Sequence, residues 1–137
     1  MSNLDLPAVL RGAGVGAVLI VPAAILSRLV AGDDTADGTP ALVFVFFFVI
    51  LAGFVLAGWS AGTQPAAERT PVQHGTAAAV LTYVVVQGVG IVFVVASGDS
   101  PRFGSIVANL LLAATCGAVG GLVATRAINR RLEGDPT

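Results

Sequence analysis

Residues 40–62 read PALVFVFFFVILAGFVLAGWSAG. The stretch carries no charged side chain, and Ser60 is its one hydroxyl. A helix needs about 20 apolar residues to cross ~30 Å of hydrocarbon, so this segment predicts a transmembrane helix. Three further stretches of comparable length and polarity flank it, and the helices are expected at about 7–30, 40–62, 71–97 and 101–127. The fold class read from the sequence is therefore all-α: an integral membrane protein, one transmembrane domain over residues 1–137, forming an antiparallel four-helix bundle.

Composition agrees with that reading. Of 137 residues, 55% are hydrophobic and 11% charged, whereas a soluble domain carries about 25% charged residues. The lipid bilayer is the first partner this implies. Net charge is −1, with seven basic residues, all Arg, against eight acids. No basic surface is left to neutralise phosphates, so nucleic acid is excluded as a partner. The single Cys116 lies in an apolar block and has no second cysteine to pair with.

Helix starts are also written in the chain chemistry. Thr39-Pro40, Thr70-Pro71 and Ser100-Pro101 each place a hydroxyl cap before a proline at the first helical position, where the missing N–H is not needed. Thr70 and Gln73 have the spacing of a capping box. The first apolar run competes with a signal-peptide reading. From Gly12 to Ser27 it is long for such a segment, and Arg28 would stand almost at the cleavage point, so a retained span is expected.

Arginine placement orients the bundle, because cytoplasmic loops are enriched in positive charge. Arg11, Arg69, Arg126, Arg130 and Arg131 fall on one side, whereas Arg28 and Arg102 fall on the other beside Asp33, Asp34, Asp37 and Asp99. Both termini are expected on the cytoplasmic side of the cell membrane. Arg28 and Trp59 suit interfacial anchoring, and Pro22 is expected to kink helix 1.

In lipid, helices associate through close backbone approach and interhelical hydrogen bonds. Gly12, Gly16, Gly53, Ala57, Gly117 and Gly121 are accordingly the candidate packing residues. On helix 1, Gly12, Gly16, Ala23 and Ser27 share a face with Leu19 between them. On helix 2, Gly53, Ala57 and Ser60 lie opposite Phe44, Phe47 and Phe54. Helix 4 gathers Ser105, Asn109, Ala113, Cys116 and Gly120 on one seam. The halves are also similar: Arg11-Gly12 precedes His74-Gly75 by 63 residues, and Gly53 to Gly58 matches Gly117 to Gly121. That pattern predicts a parallel duplication of a helical hairpin.

Helix 3 carries the polar candidates. Thr76, Tyr83, Gln87 and Gly90 form one stripe beside Ala79. Gln87 should turn inward toward Asn109, making Tyr83, Gln87 and Asn109 an intramembrane polar seam. His74, at the cytoplasmic start of helix 3, reads as a solvated interfacial residue; the alternative is a pH sensor or ligand contact, histidine being the side chain that changes charge between pH 5 and 8.

No catalytic set, cofactor site or metal site is legible. One histidine without Cys or carboxylate at ligand spacing makes no metal centre, and no paired carboxylates, Ser/His/Asp set or phosphate-cradling loop is present. No charged group occupies the middle of a span, whereas ion-coupled transporters keep one there. Small multidrug transporters have a membrane glutamate in their first helix, and helix 1 has none. Residues 104–110 resemble the asparagine-bearing helix of four-span fluoride channels, but in the fourth helix instead of the second and without the accompanying hydroxyl- and phenylalanine-rich motif.

Ala52-Gly53 through Ala57-Gly58, Arg69, His74-Gly75, Asn109-Leu-Leu and the glycines from Gly117 to Gly121 together resemble the small four-span membrane proteins of unknown function found in Gram-positive bacteria. The resemblance implies a fold and a location, and it carries over no functional residues. The expected function is non-enzymatic: an accessory subunit or homo-oligomer whose partners are other membrane proteins or itself. The alternative is a small channel or transporter for a neutral or weakly polar solute through the Tyr83/Gln87/Asn109 seam.

Overall fold

The computed structural model describes residues 4–31, 41–96, 98 and 103–134. The described residues are all-helical, with no strand among them. Four long helices run α1 (Leu6–Ala31), α2 (Ala41–Gly62), α3 (Pro71–Ala96) and α4 (Phe103–Glu133), with a 3-10 turn at Pro65–Ala67 between α2 and α3. At 1.5 Å per residue, the shortest, α2 with 22 residues, is about 33 Å long. Each helix is long and apolar enough to cross a membrane, which fits a multi-pass membrane protein.

Local chemistry sets the ends. The Asp5 carbonyl accepts the Val9 N–H and so opens α1. Thr70 opens α3 through its carbonyl, which accepts the His74 N–H. The capping box does not form: the Thr70 hydroxyl meets the His74 ring instead, and Gln73 faces outward. Gly98, at φ 82°, adopts the left-handed backbone that follows the end of α3. Helix 4 runs six residues past the expected Ala127, because hydropathy falls there but nothing breaks the helix before Gly134. α1 passes through Pro22 as one helix. The proposed caps at Thr39-Pro40 and Ser100-Pro101, the Arg28 side chain, Arg102 and the acidic turn residues lie outside the described residues.

α2 and α3 each pack against the other three helices, so α1 and α4 stand at the outer corners of a rhombus. The tightest packing is built on missing side chains. A Cβ on Gly12 would lie 2.6 Å from the Ala57 carbonyl and from the Ala61 Cβ, and one on Gly16 would lie 2.7 Å from the Ala57 Cβ and 3.1 Å from the Gly53 carbonyl. The second hairpin repeats this arrangement. A Cβ on Gly75 would meet the Gly117 carbonyl at 2.7 Å and the Gly121 Cα at 3.1 Å, and one on Gly117 would meet the Ala79 Cβ at 2.5 Å. The hairpins join where Gly58 packs directly on the Gly117 carbonyl and Gly120 on the Val55 carbonyl. All six candidate packing residues are thus used within the chain.

This glycine-rich half defines one end of the bundle. Gly62 lies against Ala124, and Gly12 against Ala61, so Arg11, Arg126 and the α2–α3 connection with Arg69 gather at the same end, here called basal. Two of the facing residues expected from the sequence change place. Ile20, 1% exposed, is the inward residue of α1, and Leu19 faces out. Phe54 is 6% exposed, in the core with Ile20, Ala79, Tyr83 and Ala113, whereas Phe44 and Phe47 are exposed.

Candidate functional site

Beyond the Ile20–Phe54–Tyr83 layer, toward the distal end, the helices line a partly open chamber of about 200 Å³. All four helices line it: Ile20 and Ala24 from α1, Phe47 and Phe54 from α2, Tyr83 and Gln87 from α3, Asn109 and Leu112 from α4. The three residues of the expected polar seam therefore share one space, although they play different parts. Tyr83 is buried, its ring centroid 6.4 Å from that of Phe54, and its hydroxyl donates to the Ile106 carbonyl at 2.8 Å. That bond ties α3 to α4.

Gln87 is half-buried and Asn109 exposed at the rim. The expected bond between them is not made, and neither carboxamide has a hydrogen-bond partner among the described residues. Two free carboxamides inside a span are costly groups that seek a partner. The rest of the helix 3 stripe is spent locally. Thr76 donates back to the Val72 carbonyl at 2.8 Å, and Ala79 is fully buried against the Gly117 position. On the helix 4 seam, Ala113 and Gly120 are buried, Cys116 is half-buried, and Ser105 and Asn109 are exposed.

Toward the basal end the chamber is closed. Ile20, Phe54 and Tyr83 are each less than a tenth exposed, and the backbone contacts of Gly16, Gly58, Gly75 and Gly117 lie beneath them. Toward the distal face, a second and wholly apolar groove of about 440 Å³ runs between α1 and α3.

His74 is not the solvated residue expected from the sequence. It is 1% exposed, because the start of α1 lies over it. Its Nε2 accepts the Asp5 backbone N–H at 2.9 Å, so the ring proton belongs on Nδ1, which donates to the Thr70 carbonyl at 2.9 Å. A second tie joins the same helices, the Thr82 hydroxyl reaching the Ala13 carbonyl at 3.3 Å while donating to the Ala78 carbonyl at 2.8 Å. Both ties link residues 69 apart, and no local pattern announces such contacts.

The chemistry available at the chamber is hydrogen bonding to an uncharged group. Each carboxamide offers two donors and an acceptor oxygen, and no charged side chain lines the space. Among the described residues no group of three or more His, Cys, Asp or Glu comes together to hold a metal ion. No family model, curated protein or solved structure matches the chain.

Proposed function

We propose that this protein is a non-enzymatic, membrane-embedded binding protein for a small neutral solute, held in the chamber of Tyr83, Gln87 and Asn109. It sits in the cell membrane as an antiparallel four-helix bundle with both termini cytoplasmic. One observation carries the reading: two carboxamides within the spans, Gln87 near the middle of α3 and Asn109 near the distal start of α4, line one space bounded by all four helices without a hydrogen-bond partner among the described residues. The closed layer of Ile20, Phe54 and Tyr83 favours binding from one side, as a carrier or receptor does, over a standing pore. The contact order supports the topology, with Gly12 and Gly16 meeting α2 residues in reverse sequence and Gly75 and Ala79 meeting α4 in the same manner. The arginines gathered at the basal end support a cytoplasmic basal face.

Cysteine accessibility tests it. In a Cys116→Ser background, Asn109→Cys and Gln87→Cys should react with the small neutral reagent methyl methanethiosulfonate added outside proteoliposomes. An Ala78→Cys variant, fully buried in the basal half with Val9 and Ala61, should stay protected, and a bulky cationic thiosulfonate should react far more slowly than the neutral one. Failure of both chamber cysteines to react from outside would overturn the reading.

The interaction reading, an accessory subunit or homo-oligomer, keeps one observation of its own. Only 22–28% of the most apolar 18-residue stretch of each span is buried, and Gly14, Gly88 and Gly104 stand in open space where a partner helix could approach. Native mass spectrometry from mild detergent tests it, and a strictly monomeric species without co-purifying protein would count against it. The likeness to small four-span proteins of Gram-positive bacteria belongs to either reading.

A further inference from the structure

The groove between α1 and α3 and the chamber share two lining residues, Ala24 and Val86. The two spaces differ in character. The groove is lined by Val, Ala, Ile, Leu and Gly alone, and the chamber by apolar residues together with Tyr83, Gln87 and Asn109. We propose that the two spaces form one amphiphile site, the chamber taking a small uncharged head and the groove its single hydrocarbon tail. This rests on the reading above that the chamber binds a neutral group, and it names the class of molecule.

Three observations lead there. The first is the neutrality of the chamber: a charged head would lie unpaired at membrane depth, which is strongly unfavourable, whereas carboxamides satisfy a hydroxyl, carbonyl or amide in either sense. The second is size. A cavity of about 150 Å³ takes up a benzene-sized molecule, so about 200 Å³ holds one substituted ring or a short polar chain. The third is access. Helices α1 and α3 are tied at Asp5–His74 and Ala13–Thr82, and the groove lies distal to both ties. Its walls are turned to the bilayer, with Ile25 and Val89 each 55% exposed and Leu29 66%. An amphiphile already dissolved in the membrane enters such a groove tail-first along its length. A water-soluble solute has no use for it.

A pair of probes separates the two halves of the site: benzamide, and 4-decylbenzamide with a photoreactive diazirine at the tail end. The full chain in phosphatidylcholine nanodiscs is photolabelled with the tailed probe, and label is mapped by mass spectrometry, with benzamide as competitor. Label should concentrate on residues 21–29 and 85–90. Gln87→Leu/Asn109→Leu and, separately, Val89→Trp should each cut labelling about tenfold, while competition by benzamide should survive Val89→Trp. These positions are exposed or line a cavity, so the fold tolerates the changes, and helicity by circular dichroism checks it. If the carboxamide variant loses labelling but Val89→Trp does not, the tail groove is wrong and the neutral chamber stands. If neither variant changes labelling, the probe only partitions into lipid and both readings fall. Label on a second copy of the chain would instead assign the groove to an interface between copies and overturn the amphiphile site.

Discussion

Gly75→Ala bears directly on what holds the bundle together. A methyl group on Gly75 would lie 2.7 Å from the Gly117 carbonyl oxygen, 2.9 Å from the Gly58 carbonyl oxygen and 3.1 Å from the Gly121 Cα. All three are backbone atoms, so no rotamer change relieves the clash. Reaching ordinary contact at 3.4 Å requires α3 to draw back about 0.7 Å from α4 and about 0.5 Å from α2. That retreat loosens the seat of Ala79 on Gly117 and strains the Tyr83 hydroxyl bond to Ile106. Overpacking of this kind costs about 1–3 kcal/mol, and a weakened interhelical hydrogen bond adds up to ~1 kcal/mol. Less the roughly 0.5–1 kcal/mol that removing a helix glycine returns, the expected loss is about 2 kcal/mol, roughly 30-fold in the ratio of folded to unfolded protein. Gly88→Ala is the matched control. No heavy atom lies within 4 Å of its would-be Cβ, so relief of glycine's backbone entropy should stabilise it by about 0.5–1 kcal/mol. Titration of dodecylmaltoside micelles with sodium dodecyl sulfate, followed by circular dichroism, reads both signs. If Gly75→Ala stays within about 0.5 kcal/mol of the wild type, the range of an ordinary surface change, or if Gly88→Ala is equally damaging, the close approach of three backbones is not what holds these helices.

Two further substitutions probe the ties between helices. At His74, nitrogen-15 NMR should find the neutral ring with its proton on Nδ1, and a proton on Nε2 would contradict the bond from the Asp5 N–H; His74→Ala should destabilise the bundle by about 2–3 kcal/mol through the lost bonds and the cavity left behind and should speed hydrogen exchange at Asp5. Tyr83→Phe removes only the hydroxyl that reaches Ile106, so it should lose about 1 kcal/mol in the same detergent titration and leave the chamber's volume nearly unchanged.

The helices were legible because a span is a one-dimensional property, a count of consecutive apolar residues with caps and breakers at its ends. What depends on depth or on distant chain segments was not. Phe47 and Phe54 are seven residues apart, nearly two full turns, and so lie on almost the same line of α2. The sequence therefore gives them one environment, yet Phe54 is 6% exposed and Phe47 44%. Both line the chamber, and they differ only because the bundle opens between their levels. His74 escaped for another reason: its burial is supplied by Asp5, 69 residues away. Tyr83, Gln87 and Asn109 line one space, with Tyr83 buried, Gln87 half-buried and Asn109 exposed. The pairing within it was not legible, since Tyr83 found a backbone carbonyl that no side-chain pattern encodes. The expected match of Gly53–Gly58 with Gly117–Gly121 differs by one turn from the contacts that the two helix pairs make. Gly12 and Gly75 do correspond at an offset of 63, but their contacts pair Ala57 with Gly117 and Ala61 with Gly121, an offset of 60.

The shape that makes the chamber follows from how residue size is distributed along the helices. In α2 the bulky side chains Phe44, Phe46, Phe47 and Phe48 come at the distal start, and Gly53, Gly58 and Gly62 come in the basal half. Basal glycines on the other helices face these: Gly12 and Gly16 in α1, Gly75 in α3, and Gly117, Gly120 and Gly121 in α4. The distal glycines Gly88, Gly98 and Gly104, like the outward-facing basal Gly14, have nothing within 4 Å. Small residues let helices approach more closely than the usual 8–10 Å, and aromatic and branched ones hold them apart. A bundle with glycine interfaces at one end and phenylalanine, valine and isoleucine at the other therefore opens as a wedge. The wider level of the described helices is where Gln87 and Asn109 lie without hydrogen-bond partners. The glycines thus do more than hold the hairpins together, because closing one end leaves the space at the other.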